Sequence, residues 1–157
     1  MEIISHRGYW QSNEEKNTVT SFERSFSLGF GTETDIRDFN GELVISHDIA
    51  NAECISFQEF ISLYKAKIKG TGTLALNVKA DGLQLKAKSI LDAEGVTDYF
   101  FFDMSIPDML SYLNHELNTF VRYSEYEGFN SLIHRVDGVW LDGFSQDFVE
   151  ESLINFI

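Results

Sequence analysis

The chain has 157 residues, 43% of them apolar and 24% charged, with a formal net charge of −13. That length suits a single domain over residues 1–157 with a real core, and the composition excludes a disordered chain. The acidic balance argues against nucleic acid as a partner, because polyphosphate backbones need a basic face.

From the N-terminus, Glu2-Ile3-Ile4-Ser5 reads as a strand that runs into His6-Arg7-Gly8. A helix is predicted over residues 18–28, with Phe22, Phe26 and Leu28 near one face and Gly29 as its stop. Residues 30–38 form the next strand and carry Glu33-Thr34-Asp35. Asn40-Gly41 is a two-residue hairpin signal, so strand 42–46 should return antiparallel and bring His47-Asp48 back towards the two carboxylates. A helix over 56–67 opens at Ser56, a good capping residue. Beyond it, strands are predicted at 73–79, 98–103, 119–124 and 138–142, and helices at 83–94, 107–114, 128–134 and 145–155. Pro107 can begin its helix and Ser145 stands where a cap belongs. Strand followed by helix, repeated, predicts a parallel α/β architecture.

The polar residues at the ends of these apolar runs form a chemical inventory. Alternate strand residues share a face, so Glu33 and Asp35 project side by side with Thr34 turned away. Two adjacent carboxylates repel unless a cation lies between them, and hard oxygen ligands suit Mg²⁺ or Ca²⁺. His6 and His47, at two strand ends, can flank a scissile phosphate as general acid and base, and Arg7 supplies a forked cation for its oxygens. Taken singly, each signal also has a bland reading as a solvated or structural residue. Their order on successive strand-like segments is what favours a site at the strand ends of a parallel barrel.

The ordered set His6-Arg7-Gly8, Asn17-Thr18, Glu33-Thr34-Asp35 and His47-Asp48 resembles the glycerophosphodiester phosphodiesterase family, within the phosphatidylinositol-specific phospholipase C-like superfamily. The resemblance is dense over residues 3–48. It implies a TIM-barrel-like (β/α) fold and a phosphoric diester hydrolase acting on a glycerophosphodiester or a similar small or envelope-derived diester. It further implies His6 and His47 as the acid/base pair, Arg7 as a phosphate contact, and Glu33 and Asp35 as ligands of a divalent cation, Mg²⁺ or Ca²⁺. The resemblance also implies attack by a neighbouring substrate hydroxyl, through a cyclic phosphate, or hydrolysis to an alcohol and a phosphomonoester. The segment Leu74-Ala75-Leu76-Asn77-Val78-Lys79 resembles the family's third catalytic strand. There Lys79 fits as a second phosphate contact, while Asn77 replaces a carboxylate and contributes only an amide oxygen to the metal. Lys16 stands where the family has a glutamate.

Eight full β/α units need about 250 residues. About six units are therefore expected, in a reduced or incomplete barrel. Val136–Phe144 resembles the last strand, which implies that the missing units come from the middle; loss of the C-terminal end is the alternative. Open strand edges invite a homodimer. No apolar run approaches membrane-helix length and no basic-plus-apolar leader opens the chain, so no transmembrane segment and a cytoplasmic location are expected.

The remaining candidates carry mainly structural readings: Asp142 and Glu125, at strand ends, as caps of the next helix or as entrants to the site from its far side, Asp48 as an orienting partner of His47 or a turn cap, Asp81 as a turn residue, and His115 and His134 as solvent-facing. Cys54, the sole cysteine, reads as a small buried or half-buried thiol. Many of the aromatics should fill the core, although Tyr9 and Trp10 can instead line a pocket. The rival functional class is a binding module that keeps the phosphate pocket without turnover, a reading favoured by Asn77, Lys16 and the short chain.

Overall fold

The computed structural model describes residues 1–68 and 72–145. Strand β1 (Ile4–His6) leads through a loop with one 3₁₀ turn into helix α1 (Val19–Ser27). There follow β2 (Gly31–Phe39), β3 (Glu42–Ile45), α2 (Phe57–Lys67), β4 (Leu74–Val78), α3 (Gln84–Glu94), β5 (Tyr99–Phe102), α4 (Ile106–Asn114), β6 (Phe120–Tyr123) and β7 (Gly138–Leu141). Local chemistry explains the boundaries. Ser56 and Ser105 accept hydrogen bonds from Glu59 N and Asp108 N at the starts of α2 and α4, and Gly95 ends α3 in the left-handed region at φ 67°.

Strands β1, β2, β4 and β5 run parallel in that spatial order, and β3 pairs antiparallel with β2. The hairpin forms as the Asn40-Gly41 signal requires, both residues having positive φ, 49° and 80°. A single parallel bridge from Phe101 to Thr119 connects β5 to β6, which pairs in parallel with β7. Among the described residues β1 and β7 share no ladder, and no closed barrel forms among them.

Side-chain alternation divides the core in two. Ile36, Leu74, Leu76, Val78, Phe101 and Val121 point outward into a large apolar layer with the helices, where Phe22, Phe26 and Phe60 pack ring against ring. Ala75, Phe100 and Phe102 point inward and are joined by Ile4, Phe120 and Trp140. The Phe100 and Phe120 rings stack at 3.8 Å and those of Phe102 and Trp140 at 4.3 Å. Aromatic volume thus fills the interior that eight strands would enclose with smaller side chains.

Three expectations need correction. Residues 128–134 form turns rather than a helix: Asn130 Oδ1 accepts from Leu132 N at 2.8 Å, and this side-chain bond competes with a helical start. Leu28 follows the end of α1 and is exposed, so the apolar face of that helix rests on Phe22 and Phe26. Tyr9 and Trp10 do not line the cavity beside the first histidine motif. The helix expected over 145–155 falls almost wholly outside the described residues.

Candidate active site

The inward-facing parity of the parallel strands sets the site. Register pairs His6 with Glu33 across β1 and β2, and Asp35 with Asn77 across β2 and β4, so all four lie on the inner face near the C-terminal ends of the strands. Glu33 is 2% exposed and Asp35 is fully buried, positions that carboxylates take only with partners. Arg7, held at φ 57°, donates its backbone N–H to Glu33 Oε2 at 3.1 Å and places its Nε 3.1 Å from Asp35 Oδ2. Lys79 brings Nζ 3.6 Å from Asp35 Oδ1. Asn17, also left-handed at φ 58°, donates from Nδ2 to Asp35 Oδ2 at 2.8 Å and accepts from Thr34 Oγ1 at 2.9 Å.

Burial and the neighbouring Asp35 charge push the Glu33 carboxyl up to about 7, against the pull of the Arg7 N–H, the Arg7 charge and the Asn77 amide. His6 Nε2 lies 3.7 Å from Glu33 Oε2. Burial and the charges of Arg7 and Lys16 lower the His6 pKa, while Asp35 and Asp142 act in the opposite direction.

Whether a divalent cation suits this set turns on its oxygens. Buried Asp35 Oδ1 and Asn77 Oδ1 receive no hydrogen bond, Asp35 Oδ1 facing only the Lys79 ammonium at 3.6 Å, and Glu33 adds a third oxygen donor on the same face. The donors therefore fit Mg²⁺ or Ca²⁺, with two carboxylates rather than three. No cluster of three or more His, Cys, Asp or Glu side chains suited to a metal occurs among the described residues.

His47 reaches the site by a different route. Ser46 N donates to Asp35 O at 3.0 Å and so anchors the end of β3 beside β2; His47 Nδ1 lies 2.9 Å from Asp48 Oδ1. A cavity of about 700 Å³ opens there, with Arg7, Asn17 and His47 in its wall. His6 is not among the residues that line that cavity.

Two charged residues without a role in the sequence reading extend the site. Asp103, at φ 71° directly after β5, accepts from Lys79 Nζ at 3.2 Å and pairs with Arg122 of β6. Arg122 also pairs with Glu127 at 2.5 Å. The strand ends consequently carry alternating charges: Arg7, Asp35, Lys79, Asp103, Arg122 and Glu127. The signal available in the sequence was a lone charge closing an apolar run, as in Phe100-Phe101-Phe102-Asp103. Glu125 accepts from Phe144 N and Ser145 N and is the structural cap that its position suggested. Asp81 occupies its turn and accepts from Ser105 Oγ, and Cys54 is half-buried. His134 is exposed, whereas His115 is only partly so.

No family model and no curated protein matches the sequence. Solved structures do match the fold. A glycerophosphodiester phosphodiesterase from Parabacteroides distasonis superposes with a TM-score of 0.70 at 16% identity, over 89% of this chain and 72% of that one. A phosphodiesterase from Oleispira antarctica, in complex with its product sn-glycerol-3-phosphate, gives 0.70 at 17% identity, over 90% and 74%. A glycerophosphodiester phosphodiesterase from Agrobacterium tumefaciens gives 0.53 at 14% identity, over 91% and 96%. With its parallel sheet, outer helices and polar strand ends, the chain carries the fold of the glycerophosphodiester phosphodiesterases, with no closed barrel among the described residues.

Proposed function

We propose that the protein is a metal-dependent phosphodiesterase that hydrolyses a glycerophosphodiester or a similar small or envelope-derived diester. The observation that supports this most strongly is the convergence of His6, Arg7, Glu33, Asp35, Asn77 and Lys79 at the ends of three adjacent parallel strands. Glu33, Asp35 and Asn77 would hold Mg²⁺ or Ca²⁺, which when bound supplies charge stabilisation at the phosphoryl oxygens. Arg7 and Lys79 neutralise the phosphate and align it. Asp48 fixes the orientation of the His47 ring through Nδ1 and leaves Nε2 for proton transfer. His6 and His47 then divide the work: one accepts the proton of the attacking hydroxyl or water and the other donates to the leaving alcohol. The stacked rings of Phe102 and Trp140 share the inner face with Asn77, and apolar neighbours of this kind strengthen electrostatic contacts.

The test is release of an alcohol and a phosphomonoester from a panel of glycerophosphodiesters, with and without Mg²⁺ or Ca²⁺. His6→Ala and His47→Ala are each expected to lower kcat by roughly two to four orders of magnitude, with smaller effects on affinity. Asn77 favours the second reading, a phosphodiester-binding module, because a neutral amide weakens the metal site. Binding across the panel with no product would establish that reading instead. For the open flank between β1 and β7 we propose a homodimer.

A further inference from the structure

The cavity beside Arg7 and His47 is formed by the loop between β1 and α1 on one side and the segment after β3 on the other. Its size suits one arm of a small diester whose phosphate lies at Arg7. Neutral polar groups provide much of the wall, from Asn13, Asn17, Thr20, Ser46 and Asn51. The charged members differ in what already holds them. Arg7 is matched by Asp35, and Asp48 is turned to His47. Glu53 is exposed at the opposite wall, where solvent screens it.

Lys16 stands apart. It is half-buried, and among the described residues no carboxylate lies within ion-pair distance of it, unlike Arg7, Arg24 and Lys79. Its ammonium rests over the Trp10 ring, 4.4 Å from the centroid. Trp10 is itself fixed, because its indole N–H donates to His6 O at 2.9 Å. The loop thus holds Lys16 at the cavity wall with its ammonium stacked on a fixed ring and, among the described residues, no carboxylate in ion-pair reach. The same stacking fills the Trp10 face, and no Phe, Tyr or Trp lines the cavity, so nothing there forms an aromatic cage for a quaternary ammonium.

We propose that this cavity selects a diester whose alcohol arm carries a further negative charge, with Lys16 as the specificity-determining residue. The inference rests on the phosphodiester-binding reading of the site, and it names the class of substrate: an anionic arm is preferred over a neutral one, and a quaternary ammonium arm is disfavoured.

Three probes separate the cases: glycerophosphoglycerol with a terminal phosphate, glycerophosphoglycerol itself, and glycerophosphocholine. Their affinities for the full chain are measured by calorimetry at fixed free Mg²⁺ and ionic strength, with turnover followed in parallel. The wild-type protein is expected to bind the phosphorylated probe about tenfold more tightly than the neutral one, and the choline probe most weakly. Lys16→Gln should remove the preference for the phosphorylated arm, and Lys16→Glu should reverse the order. Circular dichroism verifies that both variants are folded, as expected for a half-exposed loop position. An unchanged ratio of affinities in folded Lys16→Gln and Lys16→Glu overturns the proposal. Selective binding without turnover leaves it standing and removes the enzymatic reading; binding of none of the probes removes both.

Discussion

Asn17 shows how much of the site depends on a single amide. Its Nδ2 donates to buried Asp35 and its Oδ1 accepts from Thr34, so it fixes two neighbours on β2 that point to opposite faces. Asn17→Ala leaves a buried hydroxyl and a buried carboxylate short of a partner, and the expected loss is about 1–3 kcal/mol in urea unfolding. An unchanged midpoint would mean that water replaces the amide. At the proposed cation site, charge should outrank geometry. Glu33→Gln or Asp35→Asn is expected to weaken Mg²⁺ or Ca²⁺ binding more than Asn77→Ala, since an anionic oxygen attracts a divalent ion more strongly than an amide oxygen. Equal losses in calorimetric titrations of the three would contradict that ranking.

At the level of elements, the connection between β1 and α1 is the most constrained segment of the site. Gly8 has φ 82°, and a Cβ there would lie 2.4 Å from Ser21 Oγ and 2.9 Å from the Ser21 backbone carbon. Because backbone is part of the obstruction, a rotamer change cannot relieve it. Gly8→Ala is expected to cost about 1–3 kcal/mol in thermal or urea unfolding and to displace Arg7. A variant with native stability and native phosphate affinity would rule this out. The sequence was most legible where one local rule governed an element. Asn40-Gly41 demanded a hairpin, and that hairpin carries His47 back beside Asp35; the alternation in Glu33-Thr34-Asp35 likewise placed both carboxylates on one face. It was least legible where the outcome depended on long-range pairing. Nothing local marks Asp103 and Arg122 as partners across β5 and β6, and nothing in residues 128–134 weighs the Asn130 side-chain bond against helix formation.

At the scale of the whole molecule, β1 and β7 each have one flank without a ladder among the described residues, and a second copy is the proposed cover for it. Light scattering is expected to give a dimer at micromolar concentration, and a monomer there would overturn the assembly. The joint between the two sheets has a further consequence. One backbone bridge links them, at Phe101 and Thr119; near the strand starts the Phe100–Phe120 stack reinforces it, and at the rim the link is ionic, through Asp103 and Arg122. Apolar stacking and ion pairs respond oppositely to added salt, since screening weakens the charges and leaves burial intact or strengthened. Amide exchange along β6 should therefore become graded in concentrated NaCl, faster towards Tyr123 and unchanged near Phe120. A uniform response along the strand would show that the rim charges do not fasten it. The row of alternating charges is in this sense a clasp between two plates, with Asp103 and Arg122 as its catch.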